Sequence, residues 1–272
     1  MELKTLDIFC EIIDNYGDIG VVYRIAKELD KIFPNSKIRV FLNRLEEFKK
    51  INSQVKDTPC QIIDGIEYIT FDYVQKKAKE LSTSQVIIEA FGCKIPDEYM
   101  EIAYGNSELL INLEYLSAED WIEDFHLQSS PLGKEKLKKV FFMPGFTEKS
   151  GGIIADSNYL ERIEKVIKNR DFYTKKYLGN IENRDKKIVG TLFSYEKNFT
   201  TLFEELKKLD REVVILAMGE KTQESLKKIF EKNLIEDFRN SLKYGKIEVR
   251  FLEFLNQEEY EELINVVDFN FV

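Results

Sequence analysis

Along nearly the whole chain, short apolar runs rich in β-branched residues alternate with apolar stripes at helical spacing, a pattern that predicts an α/β protein. The first run holds Ile8, Phe9, Cys10, Ile12 and Ile13 and predicts a buried strand. Val21, Val22, Ile25, Ala26 and Leu29 then fall on one stripe, predicting a helix from about Ile19 that lies back on a sheet. Further strands are predicted over 37–42, 66–71, 86–88, 109–111 and 140–143, with helices over 45–51 and, on a weaker pattern, 71–81. Ser117 with Asp120 three residues on marks a helix start. Gly92 with Pro96, Pro144 with Gly145, and Gly151 with Gly152 mark loops.

From 156 to 187 the residues turn charged and polar, which predicts a helix followed by an interdomain connection. A second α/β block follows, with strands over 187–193, 212–218, 246–252 and 268–272 and helices over 199–209, 225–238 and 257–267. The expected organisation is a domain over 1–155, a helix and linker over 156–186, and a second domain over 187–272, each doubly wound and the two facing one another. The second domain is short. Phe269, Phe271 and Val272 are expected to need neighbours that the chain does not supply, so the domain is read as incomplete. No internal repeat or low-complexity tract interrupts the pattern.

At 272 residues, with 43% apolar and 33% charged content, the chain has the composition of an ordinary globular protein. No apolar run is long enough to cross a bilayer, and Asp7 and Glu11 break the core that a signal peptide requires, so a cytoplasmic location is expected. A net charge of −9 argues against nucleic acid as a partner. Cys10, Cys60 and Cys93 lie far apart without Cys-x-x-Cys spacing; they read as reduced thiols, Cys10 and Cys93 buried, with no zinc site. His126 is the single histidine and has no nucleophile motif beside it, which leaves acid–base chemistry to carboxylates.

Two carboxylates stand out. Asp14 and Asp18 flank an aromatic residue between the first strand and its helix, with Gly17 and Gly20 offering backbone freedom and close approach. In open α/β sheets ligands bind outside the carboxyl ends of the strands, where this loop sits. The same residues also suit a plainer role, Asp18 capping the helix and Asp14-Asn15 forming a turn. Asn112, Glu114 and Tyr115 are placed just past another strand end on the same sheet edge, a polar and aromatic grouping that favours a binding surface. A dehydrogenase is disfavoured because Gly-x-Gly-x-x-Gly is missing and Asn43 stands where the ribose-binding acid belongs. Two α/β domains, acids at the first strand end and no Asp-x-Asp fit a metal-independent, two-domain glycosyltransferase. In that scheme the second domain binds a nucleotide-sugar and the acids of the first orient the acceptor and take its proton.

The run Asp7-Ile-Phe-Cys-x-x-x-Asp14-Asn-Tyr-Gly-Asp18-Ile-Gly-Val-x-x-Arg24 resembles the opening signature of the protein-arginine rhamnosyltransferases that mature bacterial elongation factor P. The resemblance continues through Ile88-Glu-Ala-Phe-x-Cys93-x-x-Pro96, Asn112-Leu-Glu-Tyr-Leu-Ser-Ala-Glu119, Phe142-Met-Pro-Gly-Phe146 and Ser150-Gly-Gly-Ile153. In the second domain it thins to Leu192-Phe193-Ser-Tyr195 and Phe254-x-x-Gln257. It implies a GT-B fold of two facing Rossmann-like domains and an inverting transfer of L-rhamnose from dTDP-β-L-rhamnose to an arginine of elongation factor P, with no metal and no cofactor. Asp14 and Asp18 match the catalytic acids, Asp18 as general base; Asn112, Glu114 and Tyr115 fall on the acceptor side. Asn15, Gly17, Phe193, Tyr195, Gly219, Phe254 and Gln257 fall on the donor side. In the family the strand matching 268–272 runs on into Arg-Gly-Glu-Asp-Ser, which grips the pyrophosphate; without it, little or no transfer by this chain is expected. Two rivals remain at this point: a nucleotide-sugar transferase with another acceptor, and a non-catalytic protein that docks on the elongation factor.

Overall fold

The computed structural model describes residues 3–13, 16–130, 136–179, 181, 183–231, 237–238 and 241–272, and the chain divides into two compact units, Met1–Ser157 and Asn158–Val272. The first opens with β1 (Thr5–Cys10), α1 (Gly17–Ile32), β2 (Lys37–Leu42), α2 (Glu46–Ile51), the hairpin β3 (Cys60–Ile63) and β4 (Ile66–Thr70), and α3 (Phe71–Lys77). It continues with β5 (Val86–Ala90), α4 (Asp97–Asn106), β6 (Leu109–Leu113), α5 (Ile122–Phe125), β7 (Ser129–Ser130) and β8 (Lys138–Phe142). Its sheet runs β3-β4-β2-β1-β5-β6-β8-β7, parallel throughout except for the two edge strands β3 and β7. The six inner strands therefore follow the doubly wound order, and the connection reverses direction between β1 and β5.

Strand pleating sorts β1 between two cores. Leu6, Ile8 and Cys10 pack with Ile19, Val22 and Ala26 of α1 and Phe48 of α2. Phe9 joins Val74 of α3 and Tyr99 and Ala103 of α4 on the other side, its ring stacked on that of its register partner Phe41 at 4.3 Å.

The second unit comprises α6 (Tyr159–Lys168), α7 (Arg170–Leu178), β9 (Lys187–Phe193), α8 (Thr200–Lys207), β10 (Glu212–Met218), α9 (Glu220–Glu231), β11 (Asp237–Phe238), β12 (Ser241–Tyr244), β13 (Ile247–Phe251), α10 (Gln257–Ile264) and β14 (Phe269–Phe271). Its sheet order is β11-β12-β13-β10-β9-β14, with β13, β10, β9 and β14 mutually parallel and the switch between β9 and β14. The 156–186 stretch differs from the expected helix and connection. Val166 of α6 and Tyr173 and Leu178 of α7 pack with Val214 and Leu216 of β10 and Leu263 of α10, so both helices belong to this unit's core. Each buries few side chains and shows water a charged face, which is why composition alone suggested a linker.

Phe269, against expectation, finds neighbours in the β9–β10 core, whereas Phe271 meets the Phe199 ring edge-on at 6.4 Å yet is 36% exposed, and Val272 is 75% exposed. Gly190 is the counterpart of Phe269 in β9, and a Cβ there would lie 2.2–2.4 Å from the Phe269 ring. Gly190→Ala is accordingly expected to push the ring off and loosen β14, costing about 1–3 kcal/mol as overpacking does. The denaturant midpoint checks this; an unchanged midpoint refutes it.

Candidate functional site

At the carboxyl edge of the first sheet, β1 delivers the chain to α1, whose first residue is Gly17 and second is Asp18. Asp18 is buried at 6% exposure, yet it does not cap its helix. One carboxylate oxygen accepts from the backbone N–H of Ile13 at 3.1 Å, the other from the Tyr115 hydroxyl at 2.8 Å. The capping alternative is therefore not realised, and the side chain reaches instead toward the loop after β1 and the loop after β6. Each carboxylate oxygen keeps a further lone pair for an incoming donor. Its place in the first turn also puts the negative charge at the positive end of the helix dipole. Asp14 and Asn15, the other polar residues singled out in this loop, lie outside the described residues.

The glycines do less than expected. Neither Gly17 nor Gly20 has a positive φ; both are ordinary helical residues, and a side chain at 17 would meet nothing within 4 Å. Asn112 is not past the strand end but within β6, buried at 4% in register with Glu89 and Phe141. Glu114 follows, its N–H bonded to the Phe142 carbonyl at 3.0 Å, and Tyr115 is 52% exposed with its ring stacked on Phe91 at 4.4 Å. Strand ends thus bring Asp18 and Tyr115 together, while Asn112 lies within the sheet. Ser117 opens no helix: its hydroxyl accepts from the Glu119 N–H at 3.1 Å in a local turn, and α5 starts only at Ile122.

Other candidates for chemistry fall away. Burial, reinforced by the neighbouring Cys93 and Asp18, pushes the Cys10 thiol well up, and burial with Glu89 nearby pushes Cys93 up to about 12, so both stay protonated. His126 packs against Phe142, its Nδ1 accepting from the Met143 N–H at 3.1 Å. Among the described residues no group of three or more His, Cys, Asp and Glu is placed to hold a metal ion.

In the second unit the candidates again gather at the carboxyl edge. Phe193 ends β9, and a Cβ at Gly219, which follows β10 with φ +78°, would lie 2.7 Å from the Phe193 ring. Only a residue without a side chain lets that ring lie over the turn. Tyr195 is 58% exposed beside the Lys221 ammonium, 5.3 Å from its ring centre, and Phe254 is 52% exposed. Gln257 opens α10 behind the Asn256 capping box and donates to the buried Glu261 at 2.7 Å; Glu261 also binds Arg162. Sequence reasoning missed Thr222, fully buried, whose hydroxyl accepts from the Ser194 N–H and donates to the Ser194 carbonyl, both at 2.8 Å, fixing the loop that carries Tyr195. It also passed over Phe91 as a loop residue.

Residues 6–272 match the model of the elongation factor P (EF-P) rhamnosyltransferase family, EarP. The chain belongs to that family. A protein-arginine rhamnosyltransferase of Pseudomonas putida is 29% identical over 98% of this chain and 71% of its own length. One of Shewanella oneidensis is 34% identical over 70% of this chain and 50% of its own, and one of Neisseria meningitidis is 26% identical over 96% and 66%. The chain thus spans about half to seven tenths of these family members. By fold it is similar to a structure described as the basis for EarP-mediated arginine glycosylation of translation elongation factor EF-P, with TM-score 0.55 at 20% identity over 98% of this chain and 66% of that one. A glycosyltransferase from Rickettsia africae gives TM-score 0.53 at 10% identity over 99% and 73%. The family's architecture, α/β with two parallel-dominated sheets, is the one found here.

Proposed function

We propose that the chain is an inverting transferase that moves L-rhamnose from dTDP-β-L-rhamnose to an arginine side chain of elongation factor P. The observation that carries this reading is the family match across 6–272, made specific by relatives whose shared description is arginine rhamnosylation. The first unit is assigned the acceptor and the second the nucleotide-sugar. No metal enters the reaction as proposed, and the protein acts where its acceptor does, in the cytoplasm.

Asp18 is the proposed general base. A guanidinium has a pKa above ~12, so a carboxylate does not deprotonate it in the ground state. A carboxylate can instead bind its N–H groups with charge-assisted bonds and fix the plane. As the arginine nitrogen forms its bond to the anomeric carbon, the carbon–oxygen bond to dTDP breaks, the electron pair leaves with the phosphate oxygen, and the nitrogen's proton passes to Asp18. Asp14 is proposed as the second acid, and Asn112, Glu114 and Tyr115 as the acceptor's surroundings. Phe193, Tyr195 and Phe254 offer the donor rings, Gln257 an amide, and Gly219 the turn on which the Phe193 ring rests; Asn15 and Gly17 are its proposed contacts in the first unit.

The test incubates the purified chain with its cognate elongation factor P and dTDP-rhamnose and reads the acceptor by mass spectrometry. A single deoxyhexose on one arginine, absent when that arginine is replaced by lysine, is the result this reading requires, against the little or no transfer that the resemblance implied for want of Arg-Gly-Glu-Asp-Ser. An unmodified acceptor, under conditions in which the Pseudomonas putida relative modifies its own, overturns the reading. Binding without transfer points to docking alone.

A further inference from the structure

Phe91 sits where the doubly wound sheet reverses, immediately after β5, and it is built in an uncommon way. Its φ is +58°, and Gly92 follows at +64°. The Cys93 N–H closes on the Ala90 carbonyl at 3.2 Å, and the Phe91 N–H reaches the Leu113 carbonyl of β6 at 2.7 Å. Two successive left-handed residues inside such a turn are a task for glycine or asparagine. A bulky side chain there is a genuine outlier, held only where the surroundings compensate. Turn geometry therefore does not explain the phenylalanine; its ring must.

That ring is half-buried against the core of α1 and β1 and stacks on Tyr115 with centroids 4.4 Å apart and planes 11° from parallel. Tyr115 lies on the loop after β6, 52% accessible, and its hydroxyl lies 2.8 Å from the Asp18 carboxylate. A tyrosine on such a loop has two torsions to lose before its hydroxyl stays on one carboxylate oxygen. The left-handed turn aims the Phe91 ring at Tyr115 and removes that freedom.

From this we infer that Phe91 is a positioning residue for Asp18, acting through the Tyr115 ring: the stack holds the hydroxyl on one carboxylate oxygen and so fixes which lone pairs meet the acceptor's guanidinium. The inference rests on the proposed role of Asp18 only for its catalytic consequence. The chain of contacts from Phe91 through Tyr115 to Asp18 is testable without turnover.

The first readout is the carbon-13 shift of the Asp18 carboxylate in labelled protein. Phe91→Gly suits the turn better than the native residue, so misfolding of the turn is no excuse for its effect. It is expected to move the Asp18 signal in the same direction as Tyr115→Phe, whereas Phe91→Tyr, which keeps a ring, leaves it in place. A signal unmoved by Phe91→Gly overturns the inference. The second readout is transfer. Phe91→Gly is expected to lower kcat by about tenfold to a hundredfold, the scale of a misplaced catalytic group, with KM for dTDP-rhamnose unchanged and activity restored in Phe91→Tyr. In a Tyr115→Phe background the same change adds little. Equal losses in both backgrounds overturn the inference. A wild-type chain without transfer whose Asp18 signal still responds to Phe91 defeats the proposed function and leaves the positioning link standing.

Discussion

Asp18→Asn is expected to slow arginine rhamnosylation by about 10²- to 10⁴-fold, the usual contribution of a general base, while dTDP binding stays at the wild-type level. The substitution is chosen because the surroundings tolerate it. Asp18 receives two hydrogen bonds, from the Ile13 N–H and the Tyr115 hydroxyl. Asparagine still accepts from Ile13 through its carbonyl oxygen, and its amide donates to the Tyr115 oxygen once that hydroxyl turns round. The loop after β1 is thus kept and only the charge and the proton acceptor are lost. Asp18→Ala is a poorer probe, since it removes the acceptor of both bonds and so loosens the loop along with the charge. Rates at saturating donor and acceptor decide the matter, together with calorimetry of dTDP. An Asp18→Asn protein as fast as wild type removes Asp18 from the mechanism.

The part of this site that was legible in the sequence is the part carried by one local unit. An apolar run and an amphipathic stripe specify β1 and α1 without reference to the rest of the chain, although β1 stops at Cys10 and Ile13, expected within the buried strand, is 68% exposed; the buried acid falls in the first turn of α1. Asn112 was placed one step too far along because Leu113 extends β6 by pairing with Ala90 and Phe142, a register set by neighbouring strands. Helix α4 went unread for a similar reason. Pro96 and the acids Asp97 and Glu98 announce a start, but only Tyr99 and Ala103 are buried along it, too few to make a stripe. Helix α9 begins at Glu220 directly after Gly219, five residues before the predicted start, because its first turn is polar and shows no apolar period. Phe91 is legible only as a member of the Ile88–Pro96 motif, since a phenylalanine in a left-handed turn carries no local signature of that conformation.

The most consequential residue pair outside the site was equally hidden. Asp7 and Arg39 are direct register partners on β1 and β2, and in the sequence each is simply a charge inside an apolar strand. In the fold they form a bidentate ion pair, Nε to Oδ1 at 2.7 Å and a terminal nitrogen to Oδ2 at 2.6 Å, with Asp7 wholly buried and Arg39 4% exposed. The Tyr99 hydroxyl donates to the same carboxylate, and Arg39 also binds the Ser82 carbonyl at 2.6 Å. Burial works to lower the Arg39 pKa, but the hydrogen bond and charge of Asp7 outweigh it, so the pKa is raised. A raised folded-state value means that this contribution is complete below the ordinary guanidinium pKa and is lost only as pH climbs through the higher one. No pH in the neutral range weakens it.

Arg39→Met keeps the aliphatic stem and deletes the charge, leaving Asp7 buried and uncompensated. The expected cost is about 3–5 kcal/mol, the range for breaking a buried pair from one side, seen as a lower urea midpoint. Asp7→Asn should cost less, because the amide still accepts from Tyr99 or Arg39, and combining it with Arg39→Met should cost clearly less than the sum, since the stranded charge is then gone. Additive losses would mean that the two residues contribute independently, and an unchanged midpoint in Arg39→Met would mean that the pair does not hold β1 to β2. Beyond each other, Asp7 and Arg39 bond to Tyr99, Ser82 and Ser84 and to none of the candidate site residues, so the pair holds the strands rather than the site. Folded Arg39→Met protein is therefore expected to transfer at the wild-type rate per active molecule, with the loss appearing in the amount of folded protein at a given urea concentration.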